Sequence, residues 1–133
     1  MNRSTLLNFV VVVVAILFAL AVAVPAQEEN RDFSAFRHYE NLATGITTSR
    51  DSFELIDVRT PREFAAGHIP TADNIEYQII HRALADLERD RPVVVYCRTG
   101  SRSAQAARML RQAGFTTVVD FGGVDRWQGS LVR

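Results

Sequence analysis

Cys97 is the only cysteine in 133 residues, and the residues after it are those best equipped for chemistry. The segment reads Cys97-Arg98-Thr99-Gly100-Ser101-Arg102-Ser103. A thiol with a pKa near 8.5 is only about 3% thiolate at pH 7, and the thiolate is the nucleophile. Two features of this segment act to raise that fraction. Arg98 and Arg102 bring positive charge close to the sulfur. A helix starting near Ser103 directs its unpaired N–H groups back at the loop. Gly100 tolerates positive φ and lets the loop curl tightly, while Ser101 and Ser103 offer hydroxyl donors. A loop curled around one sulfur turns its N–H groups inward as a nest for an anion. The expected object is a thiolate on the floor of a small, positive, anion-shaped cup.

The flanking elements must hold that cup. Pro92–Tyr96 is the clearest strand, because Val93-Val94-Val95 followed by Tyr96 suits a central parallel strand covered on both faces. Cys97 comes directly at its C-terminal end. Ser103–Ala113 reads as an alanine-rich helix stopped by Gly114, and Phe115–Phe121 as a further strand ended by Gly122-Gly123. Upstream, Phe53–Val58 is a short strand that runs into Asp57-Val58-Arg59. Thr60 and Pro61 start a helix to about Ala66, with a capping hydroxyl and then proline at the first helical position. Asn74–Tyr77 is a second strand. Ile79–Arg89 is helical by pattern, with Ile79, Ile80, Ala83, Leu84 and Leu87 in one stripe. A short helix over 32–42 is broken by Gly45. Strands alternating with helices indicate a parallel sheet with helices on its faces. Ligands of such sheets lie beyond the carboxyl ends of the strands, which is where Cys97 falls.

Composition narrows the function classes. All basic residues are arginines, and 15 of them face 15 acidic residues. No basic excess points to nucleic acid or to an anionic membrane surface. A single cysteine excludes an internal disulfide framework. His38, His68 and His81 show no metal-ligand spacing, so no metal is expected. Residues 1–26 read as an address: Arg3 in a short polar start, an apolar stretch over 6–24 interrupted by Asn8, then Pro25-Ala26 before a charged run. That is the layout of a secretory signal peptide. An uncleaved anchor is the alternative, since about 19 residues from Leu6 could span a bilayer. Either way the rest of the chain is expected to be periplasmic or otherwise exported, touching a membrane only through an uncleaved leader. Residues 27–45 read as a polar N-terminal extension and 46–133 as one domain.

Three segments together resemble single-domain rhodaneses, the thiosulfate sulfurtransferases. The Cys97–Ser103 loop looks like the family's active-site loop. Leu55-Ile56-Asp57-Val58-Arg59-Thr60-Pro61-Arg62-Glu63-Phe64, with Gly67-His68-Ile69-Pro70, is similar to its first signature. Gly122-Gly123 with Trp127 and Gly129 resembles its C-terminal signature. The resemblance implies an open rhodanese-like α/β fold, with a central parallel sheet of about five strands and helices on both faces. It implies that Cys97 takes a sulfur from a donor such as thiosulfate, becomes a persulfide, and passes the sulfur to a thiol or cyanide, with no cofactor. Arg98, Thr99, Gly100, Ser101 and Arg102 would then bind the donor anion, and Asp57, Arg59 and Ser103 would support the site, the first two as a buried or half-buried ion pair. Where the family usually continues Gly-Ala after Ile-Pro, this chain has Thr71-Ala72 and then Asp73, so a locally altered turn is expected. His68 reads as a structural hydrogen bond, Trp127 as core packing or a pocket wall, and Arg62 and Glu63 as surface charges. Two other functions compete. A non-catalytic sulfide- or partner-binding module is one. A cysteine phosphatase or arsenate reductase is the other, although those need five residues between cysteine and arginine and only four separate Cys97 from Arg102.

Overall fold

The computed structural model describes residues 32–133. The expected leader over 1–26, and the start of the extension, lie outside the described residues. Among the described residues no helix is long and apolar enough to cross a membrane.

Four parallel strands form the sheet: β1 (Glu54–Asp57), β2 (Asp73–Asn74), β3 (Val93–Cys97) and β4 (Val118–Gly123), in the order β2-β1-β3-β4. Among the described residues the count is four where about five were expected. Among the described residues four α-helices accompany them: α1 (Tyr39–Thr48), α2 (Pro61–Ala66), α3 (Ile80–Ala83) and α4 (Ser101–Gln112). Side chains alternate along β3, as the pleat requires. Val93, Val95 and Cys97 enter one apolar cluster with Ala106, Ala107 and Leu110 of α4 and Ile80 of α3. Val94 and Tyr96 enter the other, with Leu42 of α1, Phe53, Ile69 and Phe121, and with Phe64 of α2 packed against it. Helices therefore cover both faces. The chain leaves β1 toward β2 and then returns past β1 to β3, so the direction of winding reverses between β1 and β3. α2 and α4, which follow those two strands, lie on opposite faces, and a crevice opens beyond the strands' carboxyl ends. Both Asp57 and Cys97 end their strands there.

Several expected elements differ in extent. Gly45 does not break a helix. It is buried within α1, and a Cβ there would come within 2.6 Å of the Phe36 ring, so its smallness serves a close ring contact. A 3₁₀ turn over Phe33–Arg37 supplies that ring, and α1 runs across the expected boundary at residues 45 and 46. The helix expected over 79–89 is cut to one turn. Leu84 leaves helical geometry, and Arg89 donates to the carbonyls of Leu84, Ala85 and Leu87 in place of the missing helical bonds. The strand expected to begin at Phe115 begins at Val118. α4 ends in a Schellman motif, with Gly114 at φ 95° and the Phe115 N–H bonded to the Leu110 carbonyl at 3.1 Å. That bond commits Phe115 to the helix end.

Thr71 is the only non-glycine residue with positive φ among the described residues, at 69°. Glycine takes this left-handed conformation without strain, whereas a β-branched residue does not. The turn thus keeps a glycine-type backbone with threonine in place. Arg50 steadies it, donating to the Thr71 carbonyl at 2.9 Å and to the Phe53 carbonyl at 2.8 Å. Because Thr71 is exposed, Thr71→Gly should stabilise the protein by about 0.5–1 kcal/mol, the relief of strain exceeding glycine's greater chain entropy. Urea unfolding measures this, and a loss of stability would show that the side chain makes contacts worth more than the strain.

Candidate active site

β3 delivers Cys97 to the floor of the crevice, where the residue is 1% exposed. The chain then turns through Arg98 and Thr99 to Gly100, whose φ of 99° reverses it into α4. α4 starts at Ser101, two residues before the expected start. The Ala104 N–H is the first to find a helical carbonyl, that of Gly100 at 3.0 Å. The amides of the three residues before it have no partner within the helix, and that of Ser103 reaches the sulfur.

The thiol has specific partners. The Gly100 N–H donates to Cys97 Sγ at 3.1 Å. Burial acts to raise the thiol's pKa, but the N–H and hydroxyl of Ser103 and the N–H groups of Thr99 and Gly100 outweigh it, so the thiol lies below its ordinary value. Ser103 is fully buried. Its hydroxyl sits 3.0 Å from the Gly100 carbonyl and 3.4 Å from that of Gly122, joining the loop to the end of β4. β4 meets the loop through a bulge. The register with β3 shifts between Val95 and Tyr96, so that Cys97 pairs with Gly123. Gly122 occupies the left-handed region at φ 93°, and its N–H is tied to Asp120 Oδ1 at 2.9 Å. A side chain on Gly123 would collide with the Asp125 carboxylate and come within 2.9 Å of the Arg98 carbonyl. Gly122 and Gly123, read in the sequence as a strand end and part of a signature, lie within β4 and form one wall of the cup.

The two arginines of the loop differ in state. Arg98 and Thr99 are exposed, and Arg98 enters none of the ion pairs among the described residues. Arg102 is bidentate to Glu63 at 2.8 and 2.7 Å. Ser101 is exposed. Glu63 is therefore more than a surface charge. Its carboxylate also accepts the Thr60 N–H at 3.1 Å and hydroxyl at 2.9 Å, and Thr60 accepts the Glu63 N–H in return, which completes a capping box at α2. The Arg102 bond above all holds the Glu63 pKa down at about 2. The signal was readable as Thr60-x-x-Glu63, the capping-box spacing; the partner on α4 was not.

Asp57 and Arg59 form a second pair, fully within the protein, at 0% and 6% exposure. Arg59 Nε donates to both carboxylate oxygens at 2.9 Å, and Nη2 reaches the Gly67 carbonyl at 2.7 Å. The pair fixes the turn after α2 onto the end of β1. Tyr96 lies beneath it, accepting the Ile69 N–H at 3.0 Å. Burial first, and the Asp57 charge second, push the phenol's pKa far up, so it stays protonated. His68 Nδ1 lies 3.0 Å from the Phe64 carbonyl, and its ring stacks on Phe64 at 3.6 Å, which is a structural arrangement. Trp127 packs edge-on against Tyr39 at 5.0 Å beside the second core cluster. Among the described residues no three metal-ligating side chains come together.

Two outcomes follow. Ser103→Ala should raise the Cys97 pKa, and slower alkylation by iodoacetamide at pH 7 would report it; an unchanged pH profile would remove the hydroxyl from the account. Glu63 has a pKa lowered from 4.5 to about 2 in the fold, so the stability it contributes is present above pH 4.5 and is lost as pH falls toward about 2. The gap in unfolding free energy between the native chain and Glu63→Gln should therefore close over that window. It should be small, because the pair is 27% exposed on each side and is screened by salt.

The comparisons with known proteins agree with this geometry. Residues 39–130 match the rhodanese-like domain family. A sulfurtransferase of Allochromatium vinosum is 38% identical over 89 residues, covering 66% of this chain and 82% of that one. A solved rhodanese with anions from E. coli superimposes with a TM-score of 0.56 at 30% identity, covering 60% of this chain and 96% of that one. The human single-domain sulfurtransferase does so with a TM-score of 0.56 at 28% identity, over 63% and 85%. With its thiol ringed by N–H groups at the switch point of a parallel sheet, the chain belongs to the rhodanese-like domain family.

Proposed function

We propose that this protein moves a sulfane sulfur from thiosulfate or a similar donor anion to a thiol or cyanide, through a persulfide on Cys97. Sulfurtransferase activity in general is supported by the family and by its sulfurtransferase relatives. The observation that carries the finer reading is the convergence of the Ser103, Thr99 and Gly100 N–H groups on Cys97 Sγ. These donors serve a thiolate before transfer and an anionic persulfide after it. In the first step the thiolate attacks the outer sulfur of the donor. A new S–S bond forms, the donor's S–S bond breaks, and its electron pair leaves with sulfite. In the second step an acceptor thiolate or cyanide attacks the outer sulfur of the persulfide and the Cys97 thiolate is restored. Division into two steps predicts ping-pong kinetics. The apolar stretch over 6–24 supports an exported location for this chemistry.

Intact mass of the protein after incubation with thiosulfate tests the reading. A gain of about 32 Da, one sulfur, reversible by cyanide and absent in Cys97→Ser, is the expected result. No gain, with the thiol shown to be free and reactive, would instead favour a binding role for the cup.

A further inference from the structure

The charges around the cup are unevenly engaged. Arg59 is neutralised by Asp57, and Arg102 by Glu63. Arg98 is exposed on the loop, and Arg126 lies against Gly122 while donating to the Phe121 and Arg37 carbonyls. The Asp125 carboxylate lies against Gly123 beside the Arg98 carbonyl. Asp120 lies on the same wall with its Oδ1 on the Gly122 N–H, so the rim presents two arginines outside the ion pairs against two carboxylates. The sulfur itself is held by neutral N–H donors, whose attraction for an anion grows in proportion to its charge while the cost of taking that anion out of water grows faster. Arg102 is placed to add a further positive charge: it opens α4 in the first turn after the cup, and the Cys97 charge is among the lesser causes that hold its guanidinium protonated, after Glu63. Glu63 withholds that charge from any incoming anion by occupying both guanidinium nitrogens that face it.

We infer that Glu63 is a specificity-determining positioning residue: by pairing with Arg102 it keeps the cup weakly positive, and so favours sulfur donors with one negative charge over dianionic thiosulfate. The inference rests on the sulfurtransferase reading above and names the donor class for that same site. A sulfur donor with the same reacting bond and a singly charged leaving group is the anion methanethiosulfonate. The Cys97 thiolate takes its outer sulfur, the S–S bond breaks, and the electron pair leaves with methanesulfinate, so the two donors differ at the leaving group chiefly in charge. An acid that only buttressed the helices would affect both donors alike, because both attack steps use the same sulfur and the same N–H groups.

The experiment is the ratio of kcat/KM for thiosulfate to that for methanethiosulfonate, measured for the native protein, Glu63→Gln, Arg102→Gln and the double variant. The amide introduced by Glu63→Gln retains an acceptor for the Thr60 N–H, so the cap of α2 is preserved. The ratio should rise about threefold in Glu63→Gln, as expected for one partly screened charge. It should fall in Arg102→Gln, where Glu63 is left unpaired, and return toward the native value in the double variant. Both changes should shrink with added salt. Should Glu63→Gln fail to fold, Arg102→Gln carries the test in the opposite direction. A native protein that turns over the donors with ratios unchanged in every variant overturns the role of Glu63 alone. A native protein that accepts sulfur from neither donor overturns the sulfurtransferase reading, and this inference with it.

Discussion

A sulfur whose charged form is favoured although it is only 1% exposed makes a demand that the surrounding backbone must meet. Removing an anion from water is costly unless hydrogen bonds or opposite charge replace the lost solvent. Here the replacement comes from N–H groups, and most of the local architecture follows from it. The loop must curl within three residues, so Gly100 takes a left-handed turn. α4 must begin at once, so that amides without helical partners lie near the sulfur. β4 must end in small residues that let the loop lie flat against it, so a bulge precedes Gly122 and Gly123 and brings them level with Tyr96 and Cys97. The buried hydroxyl of Ser103 then ties loop and strand together.

Two ion pairs frame this arrangement and work in different settings. Asp57 and Arg59 are withdrawn from water, and such a pair gains stability only when its remaining donors and acceptors are met. They are met by the Arg59 N–H and the Gly67 carbonyl, so the pair fixes the geometry of the turn beside the crevice. Glu63 and Arg102 are partly exposed and join helices that lie on opposite faces of the sheet. The first pair gives shape to one side of the crevice. The second crosses it, and therefore couples the spacing of α2 and α4 to the charge near the sulfur.

The parts legible in the sequence were those whose signals are local. The run Val93-Val94-Val95-Tyr96 announced a buried strand, Cys97 fell at its end, and Thr60-Pro61 marked the start of α2; each depends on neighbours within a few residues. The pairing of Asp57 with Arg59 was also within reach, because the two stand only two positions apart. The partner of Glu63 was not, since Arg102 lies 39 positions further on and only the winding of the sheet brings it near. The apolar stripe over 79–89 failed for another reason. Leu84 and Leu87 do pack against the core, but turns held by Arg89 place them there as well as a helix would, and periodicity cannot distinguish the two. Gly45 shows the same limit: a glycine that admits an aromatic ring from another segment looks, in sequence, like one that ends a helix.

Because the sulfur is cradled by peptide N–H groups, the site's essential information is stored in dihedral angles more than in side-chain identity. Thr99 and Ser101 are exposed, and what Thr99 gives the sulfur, a peptide N–H, any residue but proline could give. Their side chains are therefore free to drift during evolution, and to adapt the rim to different partners, without disturbing the chemistry at the floor. The fold separates what must be inherited from what can vary, one peptide bond apart.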